Sequence, residues 1–277
     1  MTRRTTKHPV RRTVRHTGAD APIRGVIFDL DGTVYRGDEE VPGAARFVRW
    51  LDAHGIRRLF VTNRANRPPE EVAFQLAGIG IPCETADVLT SAQAAALYLK
   101  RRGVRRVYCI GEQGMRLALN EAGIALTERR PEHVVVSFDR SFDYDKLRTA
   151  CRLILSGSGF IATNADRQLR THEGLLPGTG TLVAAICAGT GVDPLVIGKP
   201  CRLIIDLALE RLSLPASEVI AVGDNLETDI PAGVAAGVRT AFILTGVSTR
   251  EQLRGAAARP TWVVQDFKEL ARLVARL

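Results

Sequence analysis

No apolar run in this 277-residue chain approaches the roughly 18 residues that a membrane-spanning helix needs, so no membrane association is expected. Cysteine is sparse and unpaired in pattern. Cys83, Cys109, Cys151, Cys187 and Cys201 are odd in number, widely spaced and free of any CxxC pair. That argues against a disulfide scaffold or a zinc site and for a reducing, cytoplasmic setting. There is no internal repeat, no long Gly/Ser linker, no GxxxxGK[ST] phosphate loop and no GxSxG around Ser137 or Ser156. Acids are missing from residues 1–19, where Arg3, Arg4, Lys7, Arg11, Arg12 and Arg15 supply six of the eight net positive charges. This leader also lacks an apolar stretch, so it is not a secretory signal. A solvated, disordered leader over residues 1–20 is the reading adopted. A nucleic-acid partner would rest on the leader alone and is not expected, because the remaining chain is close to neutral.

What is present is ordinary for a globular protein: 45% hydrophobic residues, 25% charged, 25 Gly and 13 Pro. That composition excludes a disordered chain, a collagen and a coiled coil. The length suggests about two domains at roughly 150 residues each. Short apolar runs at 26–30, 58–62, 106–110, 134–138, 160–163, 195–197, 219–222 and 241–244 predict strands. Several are apolar throughout, as parallel strands covered on both faces require. Between them, amphipathic stretches predict helices at 44–54, 69–77, 92–101, 115–122, 145–155, 179–188, 202–212 and 229–236. Alternation of this kind predicts an α/β fold with an open parallel sheet.

Four clusters follow strands, where such sheets place their ligands. The first is Asp29-Leu30-Asp31-Gly32-Thr33. An ionised Asp29 suits attack on phosphorus, and Asp31 suits proton delivery to the departing alkoxide. A plain Asp-Gly turn would explain an isolated pair of this kind. Thr62-Asn63 offers neutral donors to a phosphoryl oxygen, although an ordinary turn would read the same way. Lys199, between Gly198 and Pro200, is a compact cation suited to phosphate, or a solvated loop residue. Asp224, after Gly223, supplies a hard oxygen for Mg²⁺, with Asp229 behind it or acting as a helix cap. Together they describe an acidic, metal-competent pocket with one fixed cation, which phosphoryl transfer requires.

With these residues in hand, the chain strongly resembles the haloacid dehalogenase-like (HAD) phosphatase superfamily. The four motifs match at Asp29 to Thr33, at Thr62-Asn63, at Lys199, and at Gly223-Asp224 with Asp229. DLDGTVYRGDEEVPGA (29–44), VVVSFDRSFDYDKL (134–147), ATNADRQLRTHEGLLPGTGTLVAAI (162–186) and GDNLETDI (223–230) are similar to subclass IIA. That branch carries a C2-type cap and includes NagD-type, 4-nitrophenyl phosphate, phosphoglycolate and pyridoxal phosphate phosphatases. The resemblance covers residues 22–270. It implies a Rossmann-like core at 21–85 and 189–277, with an inserted, independent α/β cap at 86–188.

It further implies an aspartyl-phosphate on Asp29, with Asp31 as acid and then base. Thr62, Asn63 and Lys199 would hold the phosphate, and Mg²⁺ would sit on Asp29, Asp224 and the Asp31 carbonyl. Asn164 and Asp166 resemble the segment that dips from the cap, and Arg167 and Arg170 beside them hint at a substrate with charge beyond its phosphate. Family members often read Asn where this chain has Arg64, which puts a cation at the pocket rim or in solvent. The expected function is a Mg²⁺-dependent hydrolase of a small phosphomonoester. A phosphotransferase or mutase, and a non-catalytic phosphate sensor, are the alternatives. Cap-mediated homodimers are compatible with the resemblance.

The remaining polar features are read as structural. Gly178-Thr179-Gly180-Thr181 is taken as a packing turn, and His54, His133 and His172 lack ligand spacing.

Overall fold

In the computed structural model, residues 21–171 and 174–277 are described. The leader 1–20 and His172 lie outside the described residues, as does the side chain of Arg170. Six parallel strands form the larger sheet, in the order Trp262–Val264, Arg239–Ile243, Val219–Gly223, Gly25–Phe28, Arg57–Thr62, Val88–Thr90. Gly25–Phe28 is buried at every position, which explains why its sequence shows no polar alternation. The chain leaves this central strand toward one edge and later returns to build the other. The crevice beyond Phe28 is therefore the switch point, flanked by the ends of Arg57–Thr62 and Val219–Gly223.

The second sheet is also parallel, in the order Leu195–Val196, Gly159–Ala162, His133–Val136, Arg106–Ile110, Ala125–Leu126. All eight anticipated strands form, with ends that move by one or two residues. The inserted unit differs from the 86–188 expectation at both limits. Val88–Thr90 pairs with Phe60–Thr62 in the first sheet, and Leu195–Val196 pairs with Ile161–Ala162 in the second. Val88–Thr90 is a three-residue strand buried throughout, too short to show a period.

Nor is the second sheet separate in its packing. The helix Ser91–Arg101 inserts Ala92, Ala95, Ala96 and Leu99 between the two sheets. They join Ile27, Leu59 and Val61 to Val107, Cys109, Val135 and Ile161 in one apolar cluster. Thr90 and Gln93 close that helix's N-terminus with a reciprocal capping box, which fixes where it starts. The alanine run therefore packs in the interface between the sheets and is not merely a good helix former. Elements not anticipated include the strands Val88–Thr90, Trp262–Val264 and Ala125–Leu126, the helix Phe267–Val274, and the hairpins Tyr35–Arg36 with Glu39–Glu40 and Gln168–Thr171 with Gly174–Pro177.

Candidate active site

Asp29 is the first residue beyond the central strand, and its backbone N–H still donates to Val222 O at 2.9 Å. This ladder bond aims its carboxylate over the sheet edge, where Oδ1 meets Lys199 Nζ in a short contact. The second acid, Asp31, lies past the bend. Gly32 makes that bend at φ +83°, and a Cβ there would sit 2.5 Å from Asp224 Oδ2. Glycine is thus required twice over, for the dihedral and for the carboxylate beside it. Thr33 ties the two strand ends together, donating to Asp224 Oδ1 at 2.9 Å and lying 3.5 Å from Asp29 Oδ2.

Lys199 is 5% exposed in its side chain and is aimed by Asn63. Asn63 Oδ1 accepts from Lys199 N at 2.8 Å while its Nδ2 donates to Lys199 O at 2.9 Å. The ammonium then reaches Asp29, Asp229 Oδ1 at 2.7 Å and Val61 O at 3.2 Å. Burial by itself would pull this amine down. Asp229 and Asp29 outweigh it and hold Lys199 protonated well above the usual lysine range. Lys199 is therefore a fixed cation across neutral pH.

The Asn63 amide is fully committed. Besides Lys199, it donates to Asp166 Oδ2 at 3.0 Å. The anticipated phosphate donor at Asn63 is thereby a positioning group for Lys199, and the hydroxyl left free to donate is that of Thr62. Thr62 Oγ1 accepts from Arg64 N at 3.0 Å, which leaves its proton available. Asn164 also reaches Asn63, donating to its carbonyl at 2.9 Å, and Asp166 N bonds Asn164 Oδ1 at 3.1 Å. Asn164 and Asp166 thus latch the second sheet onto the site. Gly178 and Gly180 are packing residues, as expected: their N–H groups bond Arg167 O and Asp166 O at 2.8 and 2.9 Å.

Asp29, Asp224 and Asp229 each present a carboxylate oxygen, all within 4.8 Å of one another. This all-oxygen, anionic set fits a hard divalent cation. Within that set, Asp229 Oδ1 also contacts Lys199 at 2.7 Å and its Oδ2 accepts from Asn225 N at 3.0 Å. Asp229 thus both closes the turn and anchors Lys199.

The loop after strand Arg239–Ile243 completes the floor, and sequence reasoning passed over it. Val247 N donates to Asp224 Oδ2 at 2.6 Å, Ser248 N to Asp224 O at 3.1 Å and Thr245 Oγ1 to Gly32 O at 2.8 Å. The signal available was Thr245-Gly246 directly after an apolar strand, at the ligand end of the sheet.

The carboxylates crowd one another. Burial first, then Asp29 and Asp229, push Asp224 up to about 8. Burial and Asp29 push Asp229 up to about 6 against the pull of Lys199. An acid whose folded-state pKa stands above its unfolded value of about 3.9 favours folding when protonated. The associated stability is complete below about pH 4 and is lost as pH rises through about 6 and about 8. The metal-free protein is accordingly expected to lose Tm as pH rises from about 5 to about 8.5. Excess Mg²⁺ should restore more Tm at the upper end than at the lower. Thermal melts in EDTA and in Mg²⁺ across that range check this, and a metal-free Tm that climbs instead would contradict the crowding.

Gly32→Ala is expected to cost about 1–3 kcal/mol, because a positive φ and a close carboxylate both oppose a methyl group. The loss should appear in urea unfolding, together with weakened stabilisation by Mg²⁺.

A cleft of about 900 Å³ opens above this floor. Asp31, Thr62, Arg64, Phe138, Asp166, Arg167, Leu169 and Leu175 are among its lining. Asp31 is forked by Arg64, with Nη2 to Oδ1 at 3.0 Å and Nε to Oδ2 at 2.9 Å, and Tyr35 Oη adds a bond at 3.2 Å. Arg64 thus lies at the pocket, paired with an acid, and does not extend into solvent.

The profile described as haloacid dehalogenase-like hydrolase matches residues 26–125, and a second, described as HAD-hydrolase-like, matches residues 196–270. The chain is 40% identical over 247 residues to the 5′-nucleotidase YutF of Bacillus subtilis, covering 89% of this chain and 96% of that protein. The chain belongs to the haloacid dehalogenase-like hydrolase family. It is 38% identical over 256 residues to the acid sugar phosphatase of Staphylococcus haemolyticus, covering 92% and 96% of the two chains. The 4-nitrophenylphosphatase of Thermotoga maritima superposes with a TM-score of 0.86 at 34% identity, over 91% of this chain and 97% of that one. The fold is accordingly the HAD core with a C2 cap, the second sheet being the cap, and the chain is a hydrolase of the phosphatase class. Among the described residues, no helix is long and apolar enough to cross a membrane.

Proposed function

We propose that this enzyme is a magnesium-dependent phosphomonoesterase acting on a small phosphorylated metabolite through a phosphorylated Asp29. The observation that carries the reading is the setting of Asp29, held by Lys199 at the floor of a cleft with Asp31 two residues away. Asp29 and Asp224, with the Asp31 carbonyl, would hold Mg²⁺, whose charge offsets that of the phosphoryl oxygens.

This chain's own groups account for the rest. The Lys199 ammonium and the Thr62 hydroxyl orient the phosphoryl group. A carboxylate oxygen of Asp29 forms the bond to phosphorus as the ester P–O bond breaks, and Asp31 gives its proton to the departing alkoxide. Asp31, now ionised, takes a proton from water, which attacks phosphorus and releases inorganic phosphate and Asp29. Phe138, Leu169 and Leu175 line the cleft on its cap side, where they would meet the alcohol portion and exclude water. Five free thiols are consistent with a cytoplasmic location.

A phosphate-release screen over sugar phosphates, glycerol phosphates, phosphorylated hydroxy acids, nucleotides and 4-nitrophenyl phosphate tests the reading. Release is expected with Mg²⁺, none with EDTA, and recovery when Mg²⁺ is returned. Release that persists undiminished in EDTA would remove the metal from the reading, and no release from any compound would remove the reaction.

A further inference from the structure

We propose that Arg64 is the specificity-determining residue of this cleft: it selects phosphomonoesters bearing a second anionic group near the ester oxygen, and its move to that group frees Asp31. The inference rests on the phosphatase reading and deepens it.

In the resting site Arg64 spans both oxygens of Asp31 in a two-point fork. Tyr35 also bonds Oδ2, so both oxygens of Asp31 are engaged where it lines the cleft. Among the described residues, the Arg64 guanidinium is partnered by Asp31. The pair is only partly withdrawn from water, at 28% and 42% side-chain exposure, so an anion entering the cleft can reach the guanidinium.

The direction in which it opens follows from the charges around it. The floor is acidic, with Asp29, Asp224 and Asp229 against Lys199 alone. Above the floor, the cations Arg64 and Arg167 line the cleft along with the acids Asp166 and Glu227, and the positive field of Arg67 reaches Asp31.

A substrate carboxylate beside Arg64 offers the guanidinium the same planar, two-oxygen partner that Asp31 provides, and a second phosphate offers two anionic oxygens to the same fork. Exchange of one carboxylate for another keeps the fork satisfied and releases Asp31 to take up a proton from solvent, which it then gives to the leaving oxygen. A neutral alcohol group offers no such exchange, so the pair must break uncompensated before Asp31 can act. Arg64 therefore raises the barrier for neutral esters while binding anionic ones.

The test uses matched pairs with Mg²⁺ present: phosphoglycolate against 2-hydroxyethyl phosphate, and 3-phosphoglycerate against glycerol 3-phosphate. The native enzyme is expected to favour the anionic member of at least one pair by about tenfold or more in kcat/KM. Arg64→Asn should lower that ratio about tenfold, by raising KM for the anionic member and sparing or improving the neutral one. Arg64→Lys, which restores charge without the fork, should recover part of the ratio. A ratio unchanged in Arg64→Asn, or a native preference for the neutral member of both pairs, would overturn the inference.

Binding separates this outcome from failure of the reaction itself. In the non-reacting Asp29→Asn protein, calorimetry should show phosphoglycolate binding weakened about tenfold by Arg64→Asn. Equal binding with and without Arg64 would count against it, whereas absence of phosphate release from all four esters and 4-nitrophenyl phosphate would strike the phosphatase reading.

Discussion

Asp29→Asn is expected to lower kcat for phosphate release on the order of 10⁴-fold or more, while leaving the metal-free protein as stable as the native one. The first half follows from chemistry. An amide oxygen at position 29 has neither the charge nor the basicity to displace an alkoxide from phosphorus, and removing a covalent nucleophile costs more than removing any orienting group. The second half follows from the charges. Asp29 attracts Lys199, but it also pushes up both Asp224 and Asp229. The amide gives up one attraction and two repulsions, and Lys199 keeps Asp229 and the Val61 carbonyl. A stability change within about 1 kcal/mol is therefore expected from urea unfolding in EDTA. Turnover surviving at native rates would disprove the assignment of Asp29, and a large loss of stability would show that its pairing with Lys199 outweighs the crowding.

Lys199→Met reverses that pattern. Lys199 is the cation that contacts both Asp29 and Asp229. Its removal strands two carboxylates in a site where Asp224 already resists ionisation. Breaking a buried pair from one side costs about 3–5 kcal/mol, so the metal-free variant should unfold at markedly lower urea. Two additions should restore part of the loss: Mg²⁺, which supplies charge to the same carboxylates, and a second change, Asp229→Asn, which removes one of the stranded acids. Activity should fall about 10²–10³-fold or more, because phosphate then approaches an anionic floor unscreened. Additivity of Lys199→Met and Asp229→Asn in a double-mutant cycle would show that the two side chains are energetically independent, contrary to their 2.7 Å contact.

The contrast between these variants bears on how Lys199 is placed. Its backbone is bonded in both directions to the Asn63 side chain, and Gly198 N donates to Thr163 O at 2.8 Å at the end of a cap strand. The amine therefore sits where the two sheets meet, and displacement of one sheet against the other would move its charge. Asn164 and Asp166 act on the same residue, Asn63, from the cap side.

Much of this was legible in the chain itself. Apolar strands each ending in Asp, Thr or Gly-Asp announce an open parallel sheet with its chemistry at the strand ends, because those strands are buried on both faces and only their ends meet solvent. Asp29, Asp31, Thr62, Lys199 and Asp224 were singled out on that ground, and the structure brings them to one cleft. Val88–Thr90 and Trp262–Val264 were not legible, being three-residue edge strands whose pairing comes from neighbours distant in sequence. Thr245, Val247 and Ser248 act through a hydroxyl and backbone N–H groups, and residue type says little about a backbone donor.

Local order thus determined which side chains stand at strand ends and which elements form, since burial periodicity and turn chemistry act over a few residues. Only the tertiary structure decided their partners. It turned Asn63 toward Lys199, split Asp229 between an ammonium and a backbone amide, and folded Arg64 back over Asp31. Those pairings join residues from 4 to 136 positions apart, and long-range Coulomb and hydrogen-bond geometry is set by how two sheets pack, which no short stretch of sequence encodes.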